Sequence, residues 1–120
     1  MTLYRYASGA LLALAIVALG DTAAAAEIKY RSSVSVKQGS SVVLKGARGE
    51  TCDAGAPSWS QVAGNLPKSM TGKFSDGGVG TTQSKRCGKA VPARAIKFTG
   101  ATAGKERLTV YGDPVSVTVF

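Results

Sequence analysis

Residues 106–120 read ERLTVYGDPVSVTVF, and this stretch decides the fold. Leu108 and Val110 alternate with polar neighbours on one side of the turn YGDP, residues 111–114. Val115, Val117 and Val119 alternate with Ser116 and Thr118 on the other. Apolar residues at every second position stand on one face of an extended chain, because successive side chains point to opposite sides of a sheet. A helix would need a repeat near 3.6, which is absent here.

The same period extends outward along the chain. Ile28, Tyr30, Val34 and Val36 share one parity, while Lys29, Arg31, Ser33 and Ser35 take the other, with a break near Ser32 and Ser33. Gln38-Gly39-Ser40 marks a turn, and Val42 and Leu44 resume the alternation in SVVLKG. Trp59 and Val62 mark a third strand in PSWSQV, Phe74 a short edge strand in TGKFSD, and Ile96 and Phe98 a strand in RAIKFTG. Gly, Pro, Ser, Asn and Asp fill the gaps, the residues that preset or tolerate turns. The expectation is an all-β chain, a single sandwich of about seven strands.

The N-terminus places Arg5 before an apolar run, Ala10–Leu19, and a small-residue stretch, Thr22–Ala26. That is the order of a secretory signal peptide, with an A-x-A site at Ala24–Ala26. The run is too short to span a bilayer, which takes about 20 residues. Residues 1–26 are thus expected to be removed and 27–120 to form one small domain in the periplasm or outside the cell. The leader holds one acid, Asp21, and one base, Arg5, so the formal net charge of +8 is unchanged by its loss. Such a charge favours anionic partners or surfaces.

Two sequence patterns resemble bacterial immunoglobulin-like domains. VSVKQGSSVVL, Val34–Leu44, is similar to their A′-turn-B opening, and TGATAGKERLTVYGDPVSVTV, Thr99–Val119, to their E–F turn and closing F–G hairpin. Trp59 falls where such domains often carry a core tryptophan on strand C. The resemblance implies strands A, A′, B, C, D, E, F and G in chain order. It departs from the antibody pattern: the B-strand cysteine position falls near Gly46, Cys52 lies beyond it, and no tyrosine precedes a cysteine on strand F.

The stretch QSKRCGKAVPAR, residues 83–94, sets Cys87 among Lys85, Arg86, Lys89 and Arg94 without a carboxylate. Flanking cations would activate a free thiol. However, the chain has no histidine to serve as its base, and no CxxC spacing. An even cysteine count in an exported domain points instead to a Cys52–Cys87 disulfide. In the strand order that the resemblance implies, Cys52 lies in the B–C loop and Cys87 in the D–E loop, at the same end of the sandwich. The bridge would close a loop of about 36 residues, worth roughly 3–4 kcal/mol.

Catalytic, metal and cofactor roles find little support. Two cysteines without histidine do not make a zinc site. Glu50 and Asp53 share one loop, but calcium needs about six to eight oxygens. GGVG, Gly77–Gly80, lacks the strand-to-helix setting of a phosphate loop and reads as a flexible turn. Nucleic-acid binding has the charge but few aromatic stacking platforms. The remaining candidate is a loop end carrying Arg48, Lys85, Arg86, Lys89 and Tyr111 as partner-binding residues, with Glu50, Asp53 and Asp113 nearby. The expected function is a non-catalytic binding or adhesion module meeting an unidentified protein or an anionic envelope or matrix polymer.

The alternative is an inhibitor of an exported hydrolase, a protease or a lysozyme. The loop layout is similar to the chagasin family of cysteine-protease inhibitors, which act through their B–C, D–E and F–G loops. GGVG resembles that family's glycine-rich D–E segment but lies early in the loop, whereas ETCDAG stands in place of NPTTG and YGDP in place of RPW.

Overall fold

A computed structural model of the chain describes residues 26–120, so the expected signal segment, apart from Ala26, lies outside the described residues. Six strands and one short helix follow in order: β1 (Ser33–Val36), β2 (Ser41–Arg48), α1 (Trp59–Ala63), β3 (Gly72–Ser84), β4 (Lys89–Gly100), β5 (Gly104–Val110) and β6 (Asp113–Val119). They form two three-stranded sheets, ordered β1-β6-β5 and β2-β4-β3. β1 runs parallel to β6, and every other strand pair is antiparallel. Glu27 adds an isolated parallel bridge to Thr81 at the edge of β3.

The alternation read from sequence is what packs the two sheets together. Val34 and Val36, Leu44, Ile96 and Phe98, Leu108 and Val110, and Val115, Val117 and Val119 all enter one core. Phe98, Leu44, Ile96, Val110, Val115 and Val117 are fully buried, each worth about 1.5–3 kcal/mol of apolar burial. Phe74 meets Phe98 edge-on at 5.6 Å between ring centroids. The β5–β6 hairpin turns on Tyr111 and Gly112, both with positive φ (47° and 83°), as a type I′ turn requires. Pro114 opposes Thr109. That pair exchanges no ladder hydrogen bonds, so the missing N–H of proline costs nothing there.

Several expectations are corrected. PSWSQV is a helix rather than a strand: the Ser58 side chain accepts from the Gln61 amide, and Gln61 reaches back to the Ser58 amide, a capping box. Five residues cannot sustain a helix alone; fully buried Val62 and half-buried Trp59 fasten it to the core. The short strand around Phe74 is in fact thirteen residues long and runs on through the stretch expected to be a loop. GGVG is therefore part of β3, where the register shifts between Asp76 and Val79 as a bulge. Gly78 takes φ +90° there, and its amide donates to Asp76 Oδ1 at 2.8 Å.

The first segment also departs from the expected single core. Ile28 is buried, but in a second cluster with Ala93, Ala95 and Val43, apart from the main core. Gly46 and Gly80 make room for it: a Cβ on either would lie 3.3 Å and 2.9 Å from the Ile28 side chain. Tyr30 is exposed rather than part of the core; its hydroxyl donates to the Pro114 carbonyl.

Candidate functional site

One pole of the sandwich collects the end of β2, the loop 49–58, the β3–β4 turn and the β5–β6 turn. The tie between the first two and the third is the Cys52–Cys87 disulfide, with Cα atoms 5.7 Å apart across 35 positions of sequence. The turn itself is shorter than the loop expected from sequence. β3 ends at Ser84 and β4 starts at Lys89, which places Lys89 on a strand and Lys85 and Arg86 on the turn tip.

Hydrogen bonds reinforce the bridge. Ser84, almost fully buried, accepts through Oγ from Arg48 Nη1 at 2.7 Å and from the Cys87 amide at 3.1 Å. The Gly88 amide donates to the Ser84 carbonyl at 2.8 Å. Arg86 Nη2 donates to the Glu50 carbonyl at 3.2 Å, joining turn to loop a second time. Further in, Arg94 Nε donates to the Pro57 carbonyl at 2.9 Å, and its Nη1 meets Asp76 Oδ2 at 3.1 Å.

Arg48, Lys85, Arg86 and Lys89 are all exposed. Among the described residues the ion pairs are Lys45–Asp113, at 2.6 Å, and Arg94–Asp76, and neither uses these four cations. Glu50 and Asp53 share the pole but sit on the exposed loop without a cation within ion-pair distance. Coulomb attraction from this tip is therefore directed outward, toward whatever approaches it.

Tyr111 is brought to the same pole, though not to the turn tip. It is half-buried against the core, and with Arg48, Glu50, Pro57, Gln61 and Asn65 it lines a cleft of about 410 Å³. Its carbonyl accepts from Lys45 Nζ at 3.1 Å, and Lys45 also holds Asp113. Asp113 is thus tied up as a strap between the sheets, joining β2 to β6. Both sulfurs are in the disulfide, which leaves no thiolate to act as a nucleophile. Among the described residues, no group of three or more His, Cys, Asp or Glu side chains converges.

A carboxylate with a defined environment lies elsewhere, and sequence reasoning missed it. Glu106 on β5 accepts from the Ser69 hydroxyl at 2.5 Å, the Met70 amide at 3.2 Å, the Thr71 amide at 2.9 Å and the Thr71 hydroxyl. Burial pushes its carboxyl up, but the four hydrogen bonds together outweigh that and hold it below the usual value of 4.5. Ser69, Met70 and Thr71 give no periodic signal, so only the folded contact reveals the latch. No protein-family model, no curated protein and no solved structure matches this chain.

Proposed function

We propose that the chain is an exported binding module of immunoglobulin-like architecture whose disulfide-pinned basic pole meets an anionic or acidic partner. The topology supports the architectural part. β1, β6 and β5 correspond to strands A′, G and F, and β2, β4 and β3 to B, E and D, with the first strand parallel to the last. In chain order α1 stands where strand C would, and the 69–71 segment meets β5 through the Glu106 carboxylate in place of a sheet ladder. A structural disulfide is compatible with export, and no described helix is long and apolar enough to cross a membrane.

The observation that carries the binding reading is the turn 85–88. It presents Lys85 and Arg86 at its tip, Lys89 follows, and a covalent bridge holds it to the loop that carries Glu50. A pre-set loop loses less entropy on binding than a floppy one, and arginine is favoured at interface hot spots. The test is retention of the mature protein on a sulfated polysaccharide and on anionic phospholipid vesicles across a salt series. Binding weakens as the Debye length shrinks to about 8 Å at physiological ionic strength. Lys85→Glu with Arg86→Glu abolishes it. Retention that is absent at low salt, or indifferent to added salt, refutes the proposal.

The inhibitor reading draws on one observation: the bridge and the cleft gather loop 49–58, the 85–88 turn and the 111–112 turn at one pole. Screening against papain-like proteases and lysozymes at micromolar protein decides it, and no inhibition removes it.

A further inference from the structure

We infer that the free edge of β5 is a second, separate docking site, one that takes an extended acidic strand from a partner by adding it to the β1-β6-β5 sheet. Val110 and Asp113 flank a two-residue turn and so form a hydrogen-bonded pair. Counting back, Leu108 and Glu106 are hydrogen-bonded to β6, whereas Lys105, Arg107 and Thr109 point their N–H and C=O groups away from it. Among the described residues these six groups have no backbone or side-chain partner. The three residues are exposed, and the ladder runs without a bulge from Gly104 to Val110.

The other sheet edges are closed or guarded. β1 has only four residues. β2 and β3 each carry a register shift, and each is bonded by the N-terminal segment, through Arg31 N to the Leu44 carbonyl and Ile28 N to the Thr81 carbonyl. β5 has neither device: segment 69–71 meets it only through the Glu106 side chain, whose parity is opposite to that of Lys105 and Arg107, and makes no ladder bond with it. A long, regular edge invites strand addition, in which main-chain bonds supply affinity and alternate side chains supply choice.

Charge selects the occupant. Lys105 and Arg107 are two positions apart, roughly 7 Å along the strand, and on the exposed face their cross-strand neighbours are Thr118 and Ser116, with no carboxylate in the row. A second copy of this chain pairing antiparallel over the full length of β5 would oppose Arg107 to Arg107, and a slip of two residues toward the start of the strand would oppose Lys105 to Arg107. Like charges directly opposite destabilise a sheet, so self-pairing is disfavoured. A strand with carboxylates at every second position places them opposite both cations. The cations Lys105 and Arg107 lie back along β5 from the turn at the disulfide pole, and the site does not depend on the role assigned there.

The experiment titrates the mature protein with a capped, labelled peptide of alternating Glu and Thr, read by fluorescence anisotropy and by amide exchange. Saturable binding with new protection at Lys105, Arg107 and Thr109 is expected. Lys105→Glu with Arg107→Glu weakens it about tenfold or more and transfers preference to the Lys-for-Glu peptide. Thr109→Pro removes an outward N–H while keeping both cations and weakens binding too. A Glu/Thr peptide N-methylated on alternate amides fails as well, whatever the protein variant does to folding. Equal binding of the N-methylated or Lys peptide, loss of binding on Lys85→Glu/Arg86→Glu instead, dimerisation through β5, or no saturation at millimolar peptide each overturns the inference.

Discussion

Replacing both cysteines, Cys52→Ser with Cys87→Ser, measures how much of the pole is held by the covalent bridge. The residues are 35 positions apart. Chain-entropy arithmetic for a loop of that length gives about 4 kcal/mol at 25 °C. That is a large share of the 5–15 kcal/mol margin typical of a domain. At roughly 4–8 °C per kcal/mol for a chain of this size, the melting temperature falls by about 15–30 °C. Urea unfolding followed by Trp59 fluorescence reads the loss directly. The slope of the transition should rise as well, because the uncrosslinked unfolded chain exposes more surface. A loss under about 1 kcal/mol refutes the reasoning. It would mean that the Arg48–Ser84 and Arg86–Glu50 contacts already hold the loop, and that the bridge is not the pin of the pole.

Three further outcomes follow from particular contacts. Gly72→Ala places a Cβ 2.3 Å from the Thr99 carbonyl and 2.4 Å from Phe98 Cζ, so urea unfolding should show a loss of about 1–3 kcal/mol from overpacking. Ser58→Ala deletes the cap of α1, costs about 1 kcal/mol, and shifts Trp59 emission as the helix frays. Glu106→Gln tests the latch to Ser69, Met70 and Thr71 through pH. The folded carboxyl lies below its unfolded value of about 4.5, so its stabilisation is fully present above that pH and is lost as the pH falls through the folded value. The variant should therefore be less stable than the parent at pH 7, with the gap closing under acid; a gap that is constant with pH contradicts the assignment.

Much of the fold was legible because one face of each strand is buried. Val115, Val117 and Val119, and Leu108 and Val110, reveal their strands by parity alone, and all five enter the core. The two cysteines revealed the bridge by their even number and by the export expected from the N-terminus, and the expected strand order brought them to one end. What stayed hidden was set by contacts rather than by pattern. Trp59 and Val62 are three apart, a spacing that a short helix and an irregular strand share, and the deciding signal was the Ser58–Gln61 capping box. The length of β3 was masked because Gly77 and Gly78 look like a turn, yet they are absorbed by a bulge opposite Ala95. Ile28 kept the right parity and found the wrong partners, since small residues at Gly46, Gly80 and Ala93 create a second place to bury it. Of the site residues, Lys85, Arg86 and Arg48 reach the pole as exposed cations, while Tyr111 is half committed to the core.

The central claim, that the bridge-held turn is the contact surface, is tested most directly by mapping amide chemical shifts during titration of the protein with a sulfated polysaccharide. The account predicts salt-sensitive perturbations centred on Arg48, Lys85, Arg86 and Lys89, and their disappearance in the Lys85→Glu/Arg86→Glu protein. Perturbations spread evenly over Lys29, Lys68, Lys97 and the other scattered cations, or unchanged in that variant, would contradict it.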